Sequence, residues 1–205
     1  NLINNAGKAA SFDARNQIQT SGTTSYTWTA RGTLVSTVVS GLTTTSTFDG
    51  LNRNTATGTQ TYTYDSLDRI AVNATTVFAY GGAEIDPAAI GTTSFARSPG
   101  GMPIAAKIGT NPATLFGRDR HGDIGYQHAP DGTLSATRAY DPIGDILGET
   151  GALPPLGYQG DYTDSTNGDV WMGARWYRPG TGTFNNFAGA EHGGLMYTIV
   201  EQDPN

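Results

Sequence analysis

The chain has 205 residues, no cysteine, 28 glycines and a formal net charge of −6, with 15% charged and 10% aromatic residues. That length suits one all-β domain with its own core, while the missing thiols exclude a disulfide framework, a thiolate metal site and cysteine catalysis. The acidic balance supplies no basic stripe for a nucleic-acid backbone, no apolar run is long enough for a membrane span, and the aromatic content does not fit disorder.

From the N-terminus, Asn1 opens a polar segment without a signal-peptide pattern or initiator Met, as expected of a mature product or a piece of a longer polypeptide. An aromatic followed by Asp then recurs as Phe12-Asp13, Phe48-Asp49, Tyr64-Asp65 and Tyr140-Asp141. Looser relatives stand at Tyr26–Leu34, Tyr80-Gly81 and Asp119–Ile124. Each unit reads as a short alternating strand ending in the aromatic, a polar turn, and a second short strand. In Thr61-Tyr62-Thr63-Tyr64 the period of two puts both tyrosines on one face and both threonines on the other. The Asp after the aromatic is suited to accept backbone N–H groups of the turn. The spacing from Phe48 to Tyr64 to Tyr80 is 16 residues, room for two short strands and a turn. The expected fold is therefore all-β, a chain of antiparallel β-hairpin repeats.

Residues 83–112 carry weaker periodicity. They predict one helical turn at Pro87–Ile90 and strands at Thr92–Ala96 and Pro103–Ile108, joined by a turn at Ser98–Gly101. Near the end, the apolar run Leu195–Val200 reads as a strand in need of a partner. No Pro/Ser-rich linker or charge block separates independent domains.

The units Thr47-Phe48-Asp49-Gly50-Leu51-Asn52-Arg53 and Tyr64-Asp65-Ser66-Leu67-Asp68-Arg69-Ile70 resemble the tyrosine–aspartate repeats of the rearrangement-hotspot (Rhs) family. Residues 115–126, Asp131-Gly132-Thr133-Leu134 and residues 138–144 are similar to the start of that family's associated core segment. The most specific stretches are Gly157–Asp164, Trp171–Gly180 and Gly182-Thr183-Phe184. The resemblance implies repeats over 1–94, a core-associated segment over 95–184 and a tail over 185–205, acting as a strand or plug. It further implies a curled sheet that spirals into a hollow shell, a bacterial secreted or cell-surface location, and toxin cargo. In bacterial members the core caps the shell and releases a C-terminal toxin by aspartyl self-cleavage. Closed shells of this family take far more chain than 205 residues. The expected partners are therefore other chains or copies at open sheet edges, or a longer parent shell.

The ladder residues implied are Phe12, Phe48, Tyr62, Tyr64, Tyr80 and Tyr140 with Asp49, Asp65 and Asp141, and the core packing residues are Tyr158, Tyr162, Trp171, Arg175, Trp176 and Tyr177. In the strand alternation Arg175 shares a face with Gly173 and Tyr177, and is expected to pair with Asp161 or Asp169, since an isolated buried Arg is costly. Asp161, Asp164 and Asp169 with Asn167 offer hard oxygens to a cation such as Ca²⁺. The spacing is not an EF-hand loop, however, and Asn167-Gly168 is a strong hairpin signal, so a turn is favoured and no metal or other cofactor is expected. For self-cleavage, two carboxylates must share a proton. Where the family's first Asp belongs, the chain reads Asn185 to Glu191 with Ala188 and Ala190, leaving Glu191 and Asp203 as the candidate acids of an activity expected to be absent. His121, His128 and His192 read as loop histidines, with no G-x-S-x-G elbow for a hydrolase. Aromatics on a sheet also suit sugar stacking, but their recurrence at the repeat period favours a buried ladder. The expected function is structural: enclosing, displaying or delivering a partner. A self-cleaving core fragment is the runner-up, and a surface adhesin or sugar-binding module and a filament-forming protein are the further alternatives.

Overall fold

The computed structural model describes residues 4–5 and 7–186. The chain runs through seventeen strands of one sheet. They are β1 (Asn4–Asn5), β2 (Lys8–Phe12), β3 (Ile18–Ser21), β4 (Thr24–Trp28), β5 (Leu34–Val39), β6 (Leu42–Phe48), β7 (Asn54–Thr57), β8 (Gln60–Tyr64) and β9 (Ile70–Asn73). β10 (Thr76–Ala79), β11 (Ala89–Ile90), β12 (Thr93–Arg97), β13 (Pro103–Ile108), β14 (Thr114–Arg118), β15 (Ile124–His128), β16 (Leu134–Tyr140) and β17 (Ile146–Thr150) follow. Each pairs antiparallel with the next in chain order, as the resemblance to hairpin repeats implies. A second sheet holds β18 (Tyr162–Thr163), β19 (Val170–Trp171), β20 (Trp176–Arg178) and β21 (Thr183–Phe184).

Two kinds of connection alternate through the repeats, one at each edge of the sheet. Several hairpins close through two-residue turns, Gly22-Thr23, Ser40-Gly41, Gly58-Thr59, Ala74-Thr75 and Gly91-Thr92, whose first residue has φ between +50° and +59°. Positive φ there matches the right-handed twist of the flanking strands. Several units close instead through a longer turn, and in these the register slips just before the turn. Phe12 faces Ile18, Trp28 faces Leu34, Phe48 faces Asn54, Tyr64 faces Ile70 and Tyr140 faces Ile146. A bulge of this kind bends the strand and adds local twist, so repeating it curls the sheet. The sheet remains open, yet it curls far enough for Lys8 to act on the carboxyl of Asp145 in the turn before β17.

The burial alternation is that of half-buried strands. In β8, Tyr62 is buried and Tyr64 half-buried while Thr61 and Thr63 are exposed, as the sequence predicts. The inward residues Tyr62, Ile70, Phe78, Ile90 and Ile124 form one cluster with Leu156, Tyr162, Trp171 and Trp176. The small sheet is thus a plug lying against the inner face of the large one.

Of three local expectations, one is corrected, one is shifted and one is met. Pro87–Ile90 is not helical: Ala89–Ile90 is β11, paired with both neighbours, so sheet hydrogen bonding wins over a weak helix signal. The strand expected at Thr92–Ala96 is Thr93–Arg97, because Gly91-Thr92 forms the turn. Pro103–Ile108 is a strand as expected.

Candidate functional site

The repeat unit is built around its Asp. Asp65 Oδ1 accepts the backbone N–H groups of Leu67 and Arg69 at 2.9 and 3.0 Å, and Oδ2 accepts the Arg69 guanidinium at 2.6 and 2.8 Å. Arg69 then crosses to the following unit, lying 4.0 Å from the Tyr80 ring centroid and donating to the carbonyls of Gly82 and Glu84. Tyr80 returns the link by donating to the Ile70 carbonyl at 2.8 Å. The preceding unit repeats the pattern: Arg53 binds Asp49 and Asp68 and stacks on Tyr64, which donates to the Asn54 carbonyl. Burial pushes the Asp49 and Asp65 carboxyls up, but the bonds from Arg53 and Leu51, and from Arg69 and Leu67, outweigh it and hold both below the usual carboxylate range.

Asp13, Asp119 and Asp141 accept the same two backbone N–H groups as Asp65 does. One unit hides from an aromatic–Asp pattern: Trp28 ends β4, Thr29 Oγ1 accepts the N–H groups of Arg31 and Thr33, and Trp28 Nε1 donates to the Ile18 carbonyl at 2.6 Å. The findable signal was a hydroxyl or carboxyl three positions before a residue with positive φ, as in Thr29/Gly32, Asp49/Asn52, Asp65/Asp68 and Asp141/Gly144.

The plug is fixed to these repeats by side chains distant in sequence. The Tyr62 hydroxyl donates to Asp164 Oδ2 at 2.7 Å, and Asn73 Nδ2 donates to the same oxygen at 2.9 Å and to the Tyr162 hydroxyl at 2.7 Å. Trp176 lies 4.7 Å from the Tyr62 ring and donates to the Tyr64 hydroxyl. Tyr162 meets Phe78 edge-on at 4.9 Å, and Trp171 meets Tyr64 at 5.6 Å. Further round the sheet, Gln159 N–H donates to buried Asp123, and the hydroxyls of Tyr158 and Tyr177 donate to the carbonyls of Pro142 and Ile143. Tyr140 packs at the edge of this second group. Burial, then the Asp164 charge, raises the Tyr162 phenol to about 12.

The acidic residues of the plug go to three separate places. Asp164 caps its own turn through Thr166 N–H and faces Tyr62. Asp169 takes a two-point contact from Arg178 at 2.9 and 3.0 Å and a bond from Asn185 Nδ2. Asp161 lies near Asp86 and Arg97; burial, and then the Asp86 charge, pushes its carboxyl up to about 7 against the pull of Arg97. Among the described residues no three acidic or histidine side chains are grouped to hold a metal. Asn167-Gly168 lies in the turn closed by the N–H of Asp164 on the Asp169 carbonyl and the N–H of Gly168 on the Asp164 carbonyl.

The expected pairing of Arg175 with Asp161 or Asp169 is corrected, since Arg178 holds Asp169 and continues to Thr37 at 3.0 Å. The strand alternation fails because the chain turns between Met172 and Arg175, whose backbones hydrogen-bond, and the inward count restarts at Trp176. Arg175 instead lies 3.6 Å from the Phe184 ring centroid.

His121 Nδ1 contacts Asp123 Oδ1 at 3.0 Å with the ring half exposed, and His128 reaches the Gly132 carbonyl at a strand end, so both are loop-edge residues. Tyr62, Tyr64, Phe78 and Tyr80 pack against the plug, which suits a buried ladder better than an open stacking platform for a sugar. Phe12 and Phe48 end β2 and β6 in half-buried positions. Glu191, Asp203, His192 and Leu195–Val200 lie outside the described residues.

The fold and this contact define a class: a curled antiparallel sheet of tandem hairpins plugged by its own C-terminal sheet. No protein-family model matches the chain, and no curated protein matches it. Among solved structures, the crystal structure of TcdB2-TccC3 without the hypervariable C-terminal region has the same fold over 87% of this chain and 11% of that one, at TM-score 0.54 and 12% identity. The crystal structure of TcdB2-TccC3 aligns at TM-score 0.42 and 13% identity over 88% of this chain and 9% of that chain. A Photorhabdus luminescens Tc holotoxin pore aligns at 0.38 and 15% over 91% and 9%. The chain therefore spans about a tenth of the length of the chains it resembles.

Proposed function

We propose that the chain is a structural wall segment of a tyrosine–aspartate repeat shell of the Rhs type. Repeats over 1–94 and a core-associated segment over 95–184 form the wall and its plug, and the shell encloses and delivers a toxin cargo at the cell surface or outside the cell. The observation that carries this reading is the seating of the plug. Its bonds reach the large sheet from Leu34, whose N–H donates to the Asn185 carbonyl, to Ile143 near its far end. A plug whose bonds run from β5 to the turn before β17 holds one face of the sheet as an inside. The fold shared with the TcdB2-TccC3 crystal structure supports it. So does the end strand β17, whose residues are all exposed and include Ile146 and Leu147, an edge suited to a further strand or another chain.

Electron microscopy of the natural polypeptide containing these residues tests the proposal. A hollow particle with this chain as an arc of the wall and the plug on the luminal side is the expected result. A solid particle, or a plug facing solvent, would overturn it.

A further inference from the structure

The chain leaves the large sheet for the plug through the tight segment Gly157–Asp161, and two wall residues clamp it there. Ile124 N–H donates to the Gly157 carbonyl at 3.0 Å, while Gln159 N–H donates to Asp123 Oδ1 at 2.7 Å. Inside the segment, Gly157 N–H donates to the Asp161 carbonyl and Asp161 N–H to the Tyr158 carbonyl, so a displacement of Asp161 carries its neighbours with it. Gln159 is held at φ +55°, a left-handed conformation that a residue with a side chain adopts only at a cost. The clamp therefore holds the segment against a strain.

The carboxylates where wall meets plug are not served alike. Asp164 accepts from Tyr62, Asn73 and Thr166, Asp169 from Arg178 and Asn185, and Asp123 from Gln159, with His121 Nδ1 at 3.0 Å. Asp161 accepts no side-chain hydrogen bond among the described residues; its charged neighbours are Asp86, in the loop before β11, and Arg97, at the end of β12. Arg97 is already spent on the Pro87 and Gly101 carbonyls and lies 3.6 Å from Asp86. An ionised Asp161 is thus desolvated without a donor and repelled by Asp86, two reasons for it to move out to water. We propose that Gly157–Asp161 is a pH-sensitive latch on the plug: with the Asp161 carboxyl protonated the segment stays on Ile124 and Asp123, and with it ionised the segment lifts off the wall while the body of the plug stays seated. The body is held by Tyr62 on Asp164 and Arg178 on Asp169, contacts in which Asp161 has no part. The other titratable groups facing the segment are His121 and Asp123, in the turn before β15, and Tyr158 within it, whose ring lies 5.1 Å from that of His121. The latch goes beyond the shell reading and does not depend on it.

The closed segment holds the Asp161 proton up to about pH 7, against 3.8 for the free group. Opening therefore releases one proton, and its equilibrium rises about tenfold per pH unit between roughly pH 5 and 7 before levelling off. Hydrogen exchange of the Gln159 amide, divided by its intrinsic rate at each pH, reads this opening; the Asp164 amide, which donates to the Asp169 carbonyl, reads the body of the plug. In the wild type the protection of Gln159 is expected to fall about tenfold per unit over that range. It is also expected to stay below that of Asp164 and to be insensitive to low urea, as a local opening is. Asp161→Asn is expected to flatten the profile. Asp86→Asn keeps Asp161, removes the charge beside it, and is expected to move the levelling-off to lower pH. The latch is overturned by a flat wild-type profile, by a slope that survives Asp161→Asn, or by a levelling-off that Asp86→Asn leaves in place. Equal protection of Gln159 and Asp164 at every pH overturns it as well, since the plug would then leave the wall only as a whole.

Discussion

The Tyr62 hydroxyl and Asp164 Oδ2, 102 positions apart in the chain, are 2.7 Å apart in the fold. The phenol is covered on its ring face by Trp176, and the carboxylate is 1% exposed, so neither group has water as a substitute partner. This pair joins the middle of the repeat sheet to the start of the plug.

Tyr62→Phe keeps the ring against Trp176 and removes the hydroxyl, both as donor to Asp164 and as acceptor of Asn167 Nδ2. Asp164 Oδ2 then retains Asn73 alone, and a loss of about 1–3 kcal/mol in urea unfolding is expected. A change below about 0.5 kcal/mol would show that the bond adds nothing beyond what solvent supplies in the unfolded chain.

Arg178 holds the pairing with Asp169 that strand alternation assigns to Arg175, and mutagenesis separates the two. Arg178→Met leaves Asp169 buried with only the Asn185 amide, so a loss of about 3–5 kcal/mol is expected from breaking one side of a buried pair. Arg175→Met leaves no carboxylate among the described residues stranded, and is expected to cost far less in the same denaturation assay.

Gly132 and Gly144 occupy the same position of the turn, at φ +85° and +94°. A methyl group at Gly132 meets open space, so Gly132→Ala costs only the backbone strain of about 1–2 kcal/mol. At Gly144 the added carbon falls 2.8 Å from the Tyr158 ring, and a further 1–3 kcal/mol or so of overpacking is expected. Thermal unfolding of the two variants tests the ordering, and equal midpoints would contradict the close approach of Tyr158.

Asp161 gives stability a pH dependence of unusual sign for a carboxyl. Its folded pKa, about 7, stands above the ordinary value of 3.8, so the folded protein holds the proton more tightly than the unfolded chain. This contribution is fully present below about pH 4, is lost as pH rises towards 7, and amounts to at most about 4 kcal/mol. Its charged neighbours are Asp86 and Arg97. Asp161→Asn is expected to flatten stability between pH 4 and 7 and to raise it at pH 8, read from urea unfolding across that range. An unchanged slope would place the titration elsewhere.

The repeats were legible because their chemistry is local. Asp65 closes a turn with residues two and four positions on, and Tyr62 and Tyr64 alternate with threonine, so both patterns fall within a short window. The Trp28-Thr29 unit was legible only as a looser relative, within Tyr26–Leu34, because a hydroxyl replaces the carboxylate while doing the same work. The plug was legible as a packing region through Tyr158, Tyr162, Trp171 and Trp176, but its polar pairings were not. Nothing near Asn73 announces Tyr162, and nothing near Asp123 announces Gln159, since such contacts follow from the curvature summed over many bulges. The pairing expected of Arg175 falls to Arg178 because a strand count does not survive a turn placed inside it.

The bond from an aromatic to a carbonyl ten positions earlier, made by Trp28 to Ile18, Tyr64 to Asn54 and Tyr80 to Ile70, reaches only the adjoining unit. Such a scaffold is indifferent to its own length, and a duplicated hairpin would be accepted as readily as the original. The plug is not indifferent, because it grips Leu34 at one end and Ile143 at the other. It therefore acts as a gauge, setting how many hairpins stand between those two grips in a protein whose repeats, left to themselves, would tolerate any number.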